Sequence, residues 1–292
     1  MTSNPLPFLS HHESGKDTIV LLHGAFSSCH AFDAALPGLH RWHALIPDHT
    51  DYTMRREFSV IGLIDDIAEL IYDRAHNSRA HVVGFSFGGH LALRLAARHP
   101  HLVTSVFVSG VNRVKSSGGS ILLPHLVLLT QLVGILIPGS LKTSWMDGSS
   151  SIVEGTKTGS LTQARNILNA IQSNEKFQVI KVRVLIVAAI KNGVLLDPDS
   201  TQDASEIFSE IKGASGSCIV AHRGLTHSWI DQDPFLFVST VTAWAECRSI
   251  DEKFEAFEEV SGVSSGKNGF INLCVSHDSG TAASKAYEGA EQ

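Results

Sequence analysis

The chain has 292 residues, of which 43% are hydrophobic and 18% are charged. This length and this balance are typical of one large globular domain with a sizeable core. The net charge of −6 and an isoelectric point near 6.2 argue against nucleic acid as a partner.

The cysteines and the N-terminus bear on the compartment. The four cysteines are widely spaced and form no C-x-x-C pair, which argues against a zinc knuckle and against a disulfide framework. Residues 1–17 contain no basic segment followed by a long apolar core, so no secretory signal is expected there. A cytoplasmic location is therefore the default expectation.

Apolar runs alternate with amphipathic segments over the first third of the chain. Helical spacing of Ile61, Ile64, Ala68 and Ile71 marks one of the amphipathic segments. The predicted strands are 17–26, 43–48, 80–85 and 103–110, and the predicted helices are 59–75 and 87–100. Such alternation predicts an α/β fold with a mostly parallel central sheet flanked by helices.

The alternation stops near residue 112 and resumes after 178. Within this interval only 161–172 has a helical pattern. The interval is longer than a compact domain needs for a connection, so we interpret 112–178 as an inserted helical lid. The later predicted strands are 182–189 and 217–222, and the later predicted helices lie near 200–212 and at 233–247. The domain is thus expected to span 1–262.

The last segment, 263–292, is rich in Gly, Ser and Ala and has little periodicity. It is expected to be a disordered tail, because it offers little apolar surface to bury.

The segment 121–138 contains eighteen residues without a formal charge, which reaches the length of a candidate membrane span. Pro124, His125 and Gln131 argue against a span, as does its position between two halves of one domain. The remaining alternatives are interfacial contact with a membrane and a buried or substrate-lining lid helix.

The sequence "GFSFGG" (84–89) follows a predicted strand and opens a predicted helix. A G-x-S-x-G pattern in that context is typical of a nucleophile elbow, a sharp turn that exposes the serine hydroxyl. Side chains at Gly84 or Gly88 would collide with neighbouring backbone. The helix after Ser86 would also point its positive end at the site. A plain strand–helix turn without chemistry is the alternative.

Three motifs together resemble the α/β-hydrolase family, and the resemblance covers roughly residues 15–247. "HGAFSS" (23–28) is similar to the family's oxyanion loop, and "GFSFGG" is similar to its elbow. "GLTHSWIDQDPFLF" (224–237) is similar to the segment that carries the family's histidine. The order Ser then His also agrees with the family.

The resemblance implies roles for individual residues. Ser86 would be the nucleophile and His227 the general base, and the backbone amides of Ala25 and Phe87 would form the oxyanion hole. His23 would hold the oxyanion loop by hydrogen bonds.

The third member of the triad departs from the family pattern. The family places an Asp after the strand that corresponds to 182–189, and the aligned residue here is Asn192. Asn can fix a histidine tautomer but carries no charge to stabilise an imidazolium. Asp197 could replace it if the turn is longer than usual. The other family position for the acid, after the strand 103–110, holds Asn112.

The resemblance implies a serine hydrolase of the carboxylic ester hydrolase type, which acts through an acyl-enzyme on Ser86. The apolar lid implies a small to medium hydrophobic ester, thioester or lactone as its substrate. No nucleotide-binding or metal-binding motif is present, so no cofactor is expected. Two alternatives stay open. One is a lyase, cyclase, haloperoxidase-like enzyme or C–C hydrolase on the same fold, and the other is a non-catalytic binding relative. The sequence does not indicate an oligomeric state.

Overall fold

A sheet of eight strands forms the centre of the protein. The structure is a computed structural model that describes residues 5–113, 124–125, 159–171, 176–192, 198–259, 264–265 and 271–272. The strands of the sheet are β1 (Phe8–His11), β2 (Thr18–Leu22), β3 (His43–Pro47), β4 (Ala80–Phe85), β5 (Val103–Ser109), β6 (Arg183–Ala189), β7 (Cys218–His222) and β8 (Glu255–Glu259).

The strand order is β1-β3-β2-β4-β5-β6-β7-β8. The six inner strands run parallel, whereas β1 and β8 pair antiparallel with their neighbours and form the two edges. A separate antiparallel pair consists of β9 (Ser264–Ser265) and β10 (Ile271–Asn272).

Helices cover both faces of the sheet. They are α1 (Thr50–Thr53), α2 (Val60–Arg74), α3 (Phe87–Arg98), α4 (Leu161–Ile171), α5 (Thr201–Ile211), α6 (Trp229–Gln232) and α7 (Pro234–Ala245). Polar side chains begin three of them: Ser59 caps α2, Ser200 caps α5 and Asp233 caps α7. Each accepts a hydrogen bond from an amide of the first turn, which the helix itself leaves unpaired.

The core has two layers, one on each face of the sheet. Along β2, Val20 and Leu22 join the layer that includes α2 and α3, whereas Ile19 and Leu21 join the layer that includes α7. All four side chains are fully buried. A strand that is apolar on both faces is typical of a parallel sheet covered by helices on both sides.

The α/β architecture predicted from the sequence is confirmed, with element bounds shifted by a few residues. The edge strands β1 and β8 were not predicted. Helix α4 lies within the predicted 161–172 segment, but most of the 112–178 insertion is outside the described residues. The apolar stretch 121–138 is also outside them, apart from 124–125. No helix in the described part of the chain is long and apolar enough to cross a membrane.

The parallel strands place the predicted site residues along one edge of the sheet. His23 follows β2, Ser86 follows β4, and His227 follows β7. Because parallel strands end at the same edge, segments distant in sequence meet there. This carboxyl edge is where α/β sheets bind ligands.

Candidate active site

Ser86 occupies a sharp turn between β4 and α3. Its backbone has φ 52° and ψ −117°, a conformation that non-glycine residues rarely adopt. A Cβ atom on Gly84 would lie 2.4 Å from the carbonyl oxygen of Gly88, and one on Gly88 would lie 2.1 Å from that of Leu22. Both glycines are therefore required by close backbone approach, as the elbow interpretation predicts.

The turn is tied to the neighbouring strand. The amide of Ser86 donates to the carbonyl of Ser109, at the end of β5, over 2.8 Å. Helix α3 begins at the next residue, Phe87, which is buried. The positive end of the helix dipole therefore lies beside Ser86, where it favours developing negative charge.

The loop after β2 adjoins the elbow. A Cβ atom on Gly24 would lie 3.1 Å from the ring of Phe85 and 3.5 Å from Cβ of Ser86. Ala25 comes next in the chain, and Phe26 has a positive φ of 58°. This segment contains the Ala25 amide, one of the two donors expected for the oxyanion hole. The other expected donor is the amide of Phe87, the first residue of α3.

Two buried histidines fix this loop. His23 and His49 stack with ring centroids 3.5 Å apart. His49 Nε2 lies 3.1 Å from the carbonyl oxygen of His23, and the amide of His49 donates to His23 Nε2 over 3.3 Å. His49 also contacts Phe87 edge to face. The pair thus links the loop after β2 to the first residue of α3.

The charges around this pair are tuned by burial. Desolvation, reinforced by the neighbouring His23, holds the pKa of His49 well below its ordinary value, so its imidazole is neutral. Burial alone would raise the pKa of Asp48, but its interaction with His23 and the hydrogen bonds from Thr50 outweigh burial and lower that pKa. Burial and the Asp48 carboxylate raise the pKa of Cys29 to about 11. The segments after β2 and β3 therefore bring a charged Asp48 carboxylate and a protonated Cys29 thiol into contact.

His227 lies in the loop between β7 and α6, against the ends of two other strands. Its ring centroid is 5.1 Å from that of Phe85, the residue before Ser86. A Cβ atom on Gly110 would lie 2.6 Å from Cε1 of His227. The imidazole thus packs on the turn after β5 and beside the elbow.

The carboxylate that contacts His227 belongs to Asp199. Asp199 Oδ1 lies 2.6 Å from His227 Nδ1, and the Asp199 side chain is only 3% exposed. Asp199 Oδ2 accepts from the amide of Ala189 over 2.9 Å, and the amide of Asp199 donates to the carbonyl of Ala189 over the same distance. Both carboxylate oxygens are therefore engaged, one by the end of β6 and the other by the imidazole.

Sequence reasoning missed Asp199. Asn192, the aligned acid position, is exposed, and Asp197 lies outside the described residues. One signal was available: Ser200 precedes an amphipathic helix and has Asp203 three residues later, which is typical of a helix start. That pattern places Asp199 directly before the helix, at the sheet edge.

Side-chain bonds hold the histidine loop. The indole of Trp229 is fully buried and donates to Ser109 Oγ over 2.8 Å. Thr226 donates to the Gln232 side chain through both its amide and its hydroxyl. The loop is thus anchored on both sides of His227, and Ser109 connects it to the elbow.

This arrangement brings together a strained serine, an imidazole paired with a buried carboxylate, and a helix N-terminus. Such a combination is suited to nucleophilic chemistry at a carbonyl group. Within the described residues, no group of His, Cys, Asp and Glu side chains is arranged to hold a metal ion.

The fold and the site define a class, that of α/β proteins with a strained serine turn at the carboxyl edge of a parallel sheet. The model of the alpha/beta hydrolase family matches residues 19–240. A curated AB hydrolase superfamily protein of Gibberella zeae is 31% identical over 257 residues, which cover 85% of this chain and 86% of that protein. The chain therefore belongs to the alpha/beta hydrolase family.

Other similarities are more partial. A pimeloyl-[acyl-carrier protein] methyl ester esterase of Neisseria meningitidis is 36% identical over 92 residues, which cover 30% of this chain and 34% of the esterase. The crystal structure of the enol-lactonase from Burkholderia xenovorans LB400 has a TM-score of 0.57 and 17% identity, and covers 81% of this chain and 95% of the lactonase. At that identity the likeness establishes the shared fold alone.

Proposed function

We propose that the protein is a serine hydrolase that cleaves a hydrophobic ester, thioester or lactone through an acyl-enzyme on Ser86. His227 is the proposed general base, and Asp199 is the proposed acid of the triad in place of Asn192 or Asp197. The observation that carries the proposal is the 2.6 Å contact between Asp199 and His227, which adjoins the turn that bears Ser86.

The carboxylate decides which proton the imidazole can move. Because Asp199 accepts at Nδ1, that nitrogen carries the hydrogen and Nε2 keeps a lone pair. Nε2 takes the proton of the Ser86 hydroxyl as Oγ bonds to the substrate carbonyl carbon. It then gives that proton to the departing alcohol or thiol as the bond to the leaving group breaks. Water then bonds to the acyl carbon as Nε2 takes its proton. Nε2 gives this proton to Ser86 Oγ as the bond between Oγ and the acyl carbon breaks, which releases the acid and restores the serine.

The negative charge that develops on the carbonyl oxygen needs donors already in place. The amides of Phe87 and Ala25 are the proposed donors, and the N-terminus of α3 adds its dipole. Support comes from the closeness of Gly24 to Ser86 and from the bonds that fix the loop through His23 and His49.

The substrate class rests on the apolar insertion and on the relatives. The predicted lid residues that would line a hydrophobic pocket lie outside the described residues, so the lid remains part of the proposal. Two of the similar proteins, a methyl ester esterase and an enol-lactonase, have names that concern ester bonds. These names support an ester or lactone group as the bond that is cleaved.

The non-catalytic alternative loses its main argument. It rested on an uncharged residue at position 192, and the buried Asp199 supplies a carboxylate at His227 instead. C–C hydrolysis and lyase or cyclase chemistry remain compatible with the same residues, and substrate profiling distinguishes them from ester hydrolysis.

A fluorophosphonate probe tests the nucleophile, with the adduct located by mass spectrometry. We expect labelling of Ser86 that disappears in Ser86→Ala and becomes very slow in His227→Ala. His99→Ala is a matched control, because His99 Nε2 pairs with Asp65 over 2.8 Å at the opposite end of α3. Absence of labelling in the wild-type protein would overturn the proposal.

A series of p-nitrophenyl esters of increasing chain length then tests the substrate class. Hydrolysis that becomes more efficient with a longer acyl chain supports a hydrophobic ester. Labelling of Ser86 without hydrolysis of any ester in the series would favour one of the other reaction classes.

A further inference from the structure

The turn after β5 contacts the segment that carries Asp199. Asn112 Oδ1 accepts from the amide of Ser200 over 2.9 Å, and Ser200 directly follows Asp199. One residue further along, the amide of Arg113 donates to Asp203 Oδ2 over 2.7 Å, in the first turn of α5. Two adjacent residues after β5 therefore hold the turn that begins α5.

The backbone of Asn112 is held by His90 and Gly110. Its carbonyl oxygen lies 3.0 Å from His90 Nε2, and its amide donates to the carbonyl of Gly110 over 3.0 Å. His90 is 3% exposed, and burial lowers its pKa to about 3, with the nearby Arg94 adding to the effect. A neutral imidazole that faces a carbonyl presents its N–H, so His90 donates this bond at neutral pH.

The placement of Asp199 therefore depends on two different strands. The end of β6 binds it through the two bonds with Ala189, and the end of β5 binds its neighbour Ser200 through Asn112. The bonds to Ala189 attach the turn only to β6, so on their own they would allow the turn to rotate about the end of that strand. The bond from Asn112 restrains this rotation, because it attaches the turn to the end of β5 as well.

We propose that Asn112 is a positioning residue, which holds the Asp199 turn so that the carboxylate meets the imidazole of His227. The inference deepens the proposed function and rests on it for its catalytic consequence. The sequence pattern suggests Asn112 only as a substitute for the acid itself. Its bond to Ser200 gives it a different task, since it acts on the acid through the backbone.

The test compares three variants with the wild-type protein. Asn112→Ala removes the acceptor, Asn112→Asp keeps an acceptor oxygen at the same reach, and Ser217→Ala is the matched control. Ser217 Oγ is also a buried acceptor of a backbone amide, that of Val184 over 3.0 Å, but at the opposite end of β6. Thermal unfolding reports the stability of each variant, and Asn112→Ser replaces Asn112→Ala if the latter does not fold.

Asn112→Ala is expected to lower kcat/KM for an activated ester by about 10- to 100-fold, because small displacements of a reacting group are costly. The loss should fall on kcat rather than on KM. Asn112→Asp should recover most of the activity, and Ser217→Ala should lower only the stability.

The NMR resonance of the proton on His227 Nδ1, assigned with His227→Gln, gives a readout that does not need turnover. Its chemical shift should move upfield in Asn112→Ala, because the hydrogen bond to Asp199 is weakened, and should stay unchanged in Ser217→Ala. An unchanged chemical shift in Asn112→Ala, an activity loss equal to that of Ser217→Ala, or the absence of recovery in Asn112→Asp would each overturn the positioning role. Failure of the wild-type protein to react with the fluorophosphonate would instead overturn the proposed function, while the chemical shift still decides the role of Asn112.

Discussion

Gly110 provides the surface on which the imidazole of His227 rests. Its φ of +71° is a conformation that favours glycine, and an added Cβ would approach Cε1 of the ring to 2.6 Å. The neighbouring Ser109 binds the amide of Ser86 through its carbonyl and the indole of Trp229 through its hydroxyl. The end of β5 thus contacts both the elbow and the histidine loop.

Gly110→Ala should separate stability from activity. The methyl group would displace the imidazole, and we expect a loss of about 100-fold in the rate of probe labelling of Ser86. The backbone strain should cost about 1–2 kcal/mol of the free energy of unfolding. Gly216→Ala is the control, since Gly216 has a φ of 82° and lies in the turn before β7. Equal labelling rates in the two variants would contradict the role of Gly110.

Substitution of the proposed acid should be much more damaging than substitution of the aligned residue. Asp199→Asn keeps the shape but lets the wrong histidine tautomer form, and by analogy with other triads kcat should fall by about 10⁴-fold. Asn192→Ala should leave kcat and KM close to the wild-type values, because Asn192 is exposed. Steady-state kinetics on one activated ester compares the two. A large loss in Asn192→Ala with little loss in Asp199→Asn would restore the alignment-based assignment.

The elbow could be predicted from the sequence because its constraints are local. Gly84 and Gly88 are both needed by the turn at Ser86, so the G-x-S-x-G pattern alone predicts that turn. The alternation of apolar strands and amphipathic helices is equally local, and it predicted the inner six strands. The edge strands escaped prediction, because β1 is only half-buried and β8 is rich in charged residues.

The acid could not be found in this way, because its position is set by contacts between distant segments. The usual spacing of the acid after β6 assigns Asn192. In the structure, the residue that binds the end of β6 and contacts His227 is Asp199, seven residues later. The number of residues between these points is free to vary while the bonds at the sheet edge stay the same. Spacing in the sequence therefore carries little information about which carboxylate meets His227.

Buried histidines should make the protein less stable in mild acid. Burial lowers the pKa of His81 to about 4, with Arg183 adding to the effect, and the pKa of His90 is lowered to about 3. Below about pH 6.5 the unfolded chain binds protons at these sites and the folded protein does not. The free energy of unfolding should therefore fall as the pH drops from about 6.5 towards 4, by up to about 1.4 kcal/mol per pH unit for each site.

Urea unfolding between pH 7.5 and 4.5 measures this slope. His81→Gln removes one of these sites and keeps a polar group near Ser105, whose hydroxyl oxygen lies 2.8 Å from His81 Nδ1. The slope should decrease in this variant and stay unchanged in His40→Gln, because the side chain of His40 is exposed. A slope in His81→Gln equal to that of the wild type would show that His81 does not contribute.

Cys29, although close to the loop after β2, should be chemically inert. Burial and the Asp48 carboxylate raise the pKa of its thiol to about 11, so almost no thiolate exists at pH 8. Cys247 is exposed and should be alkylated by iodoacetamide before Cys29. Peptide mapping by mass spectrometry gives the rate at each site. Asp48→Asn removes the charge that opposes ionisation of the thiol and should speed modification of Cys29. Equal rates at Cys29 and Cys247 in the wild-type protein would instead show that Cys29 is reactive.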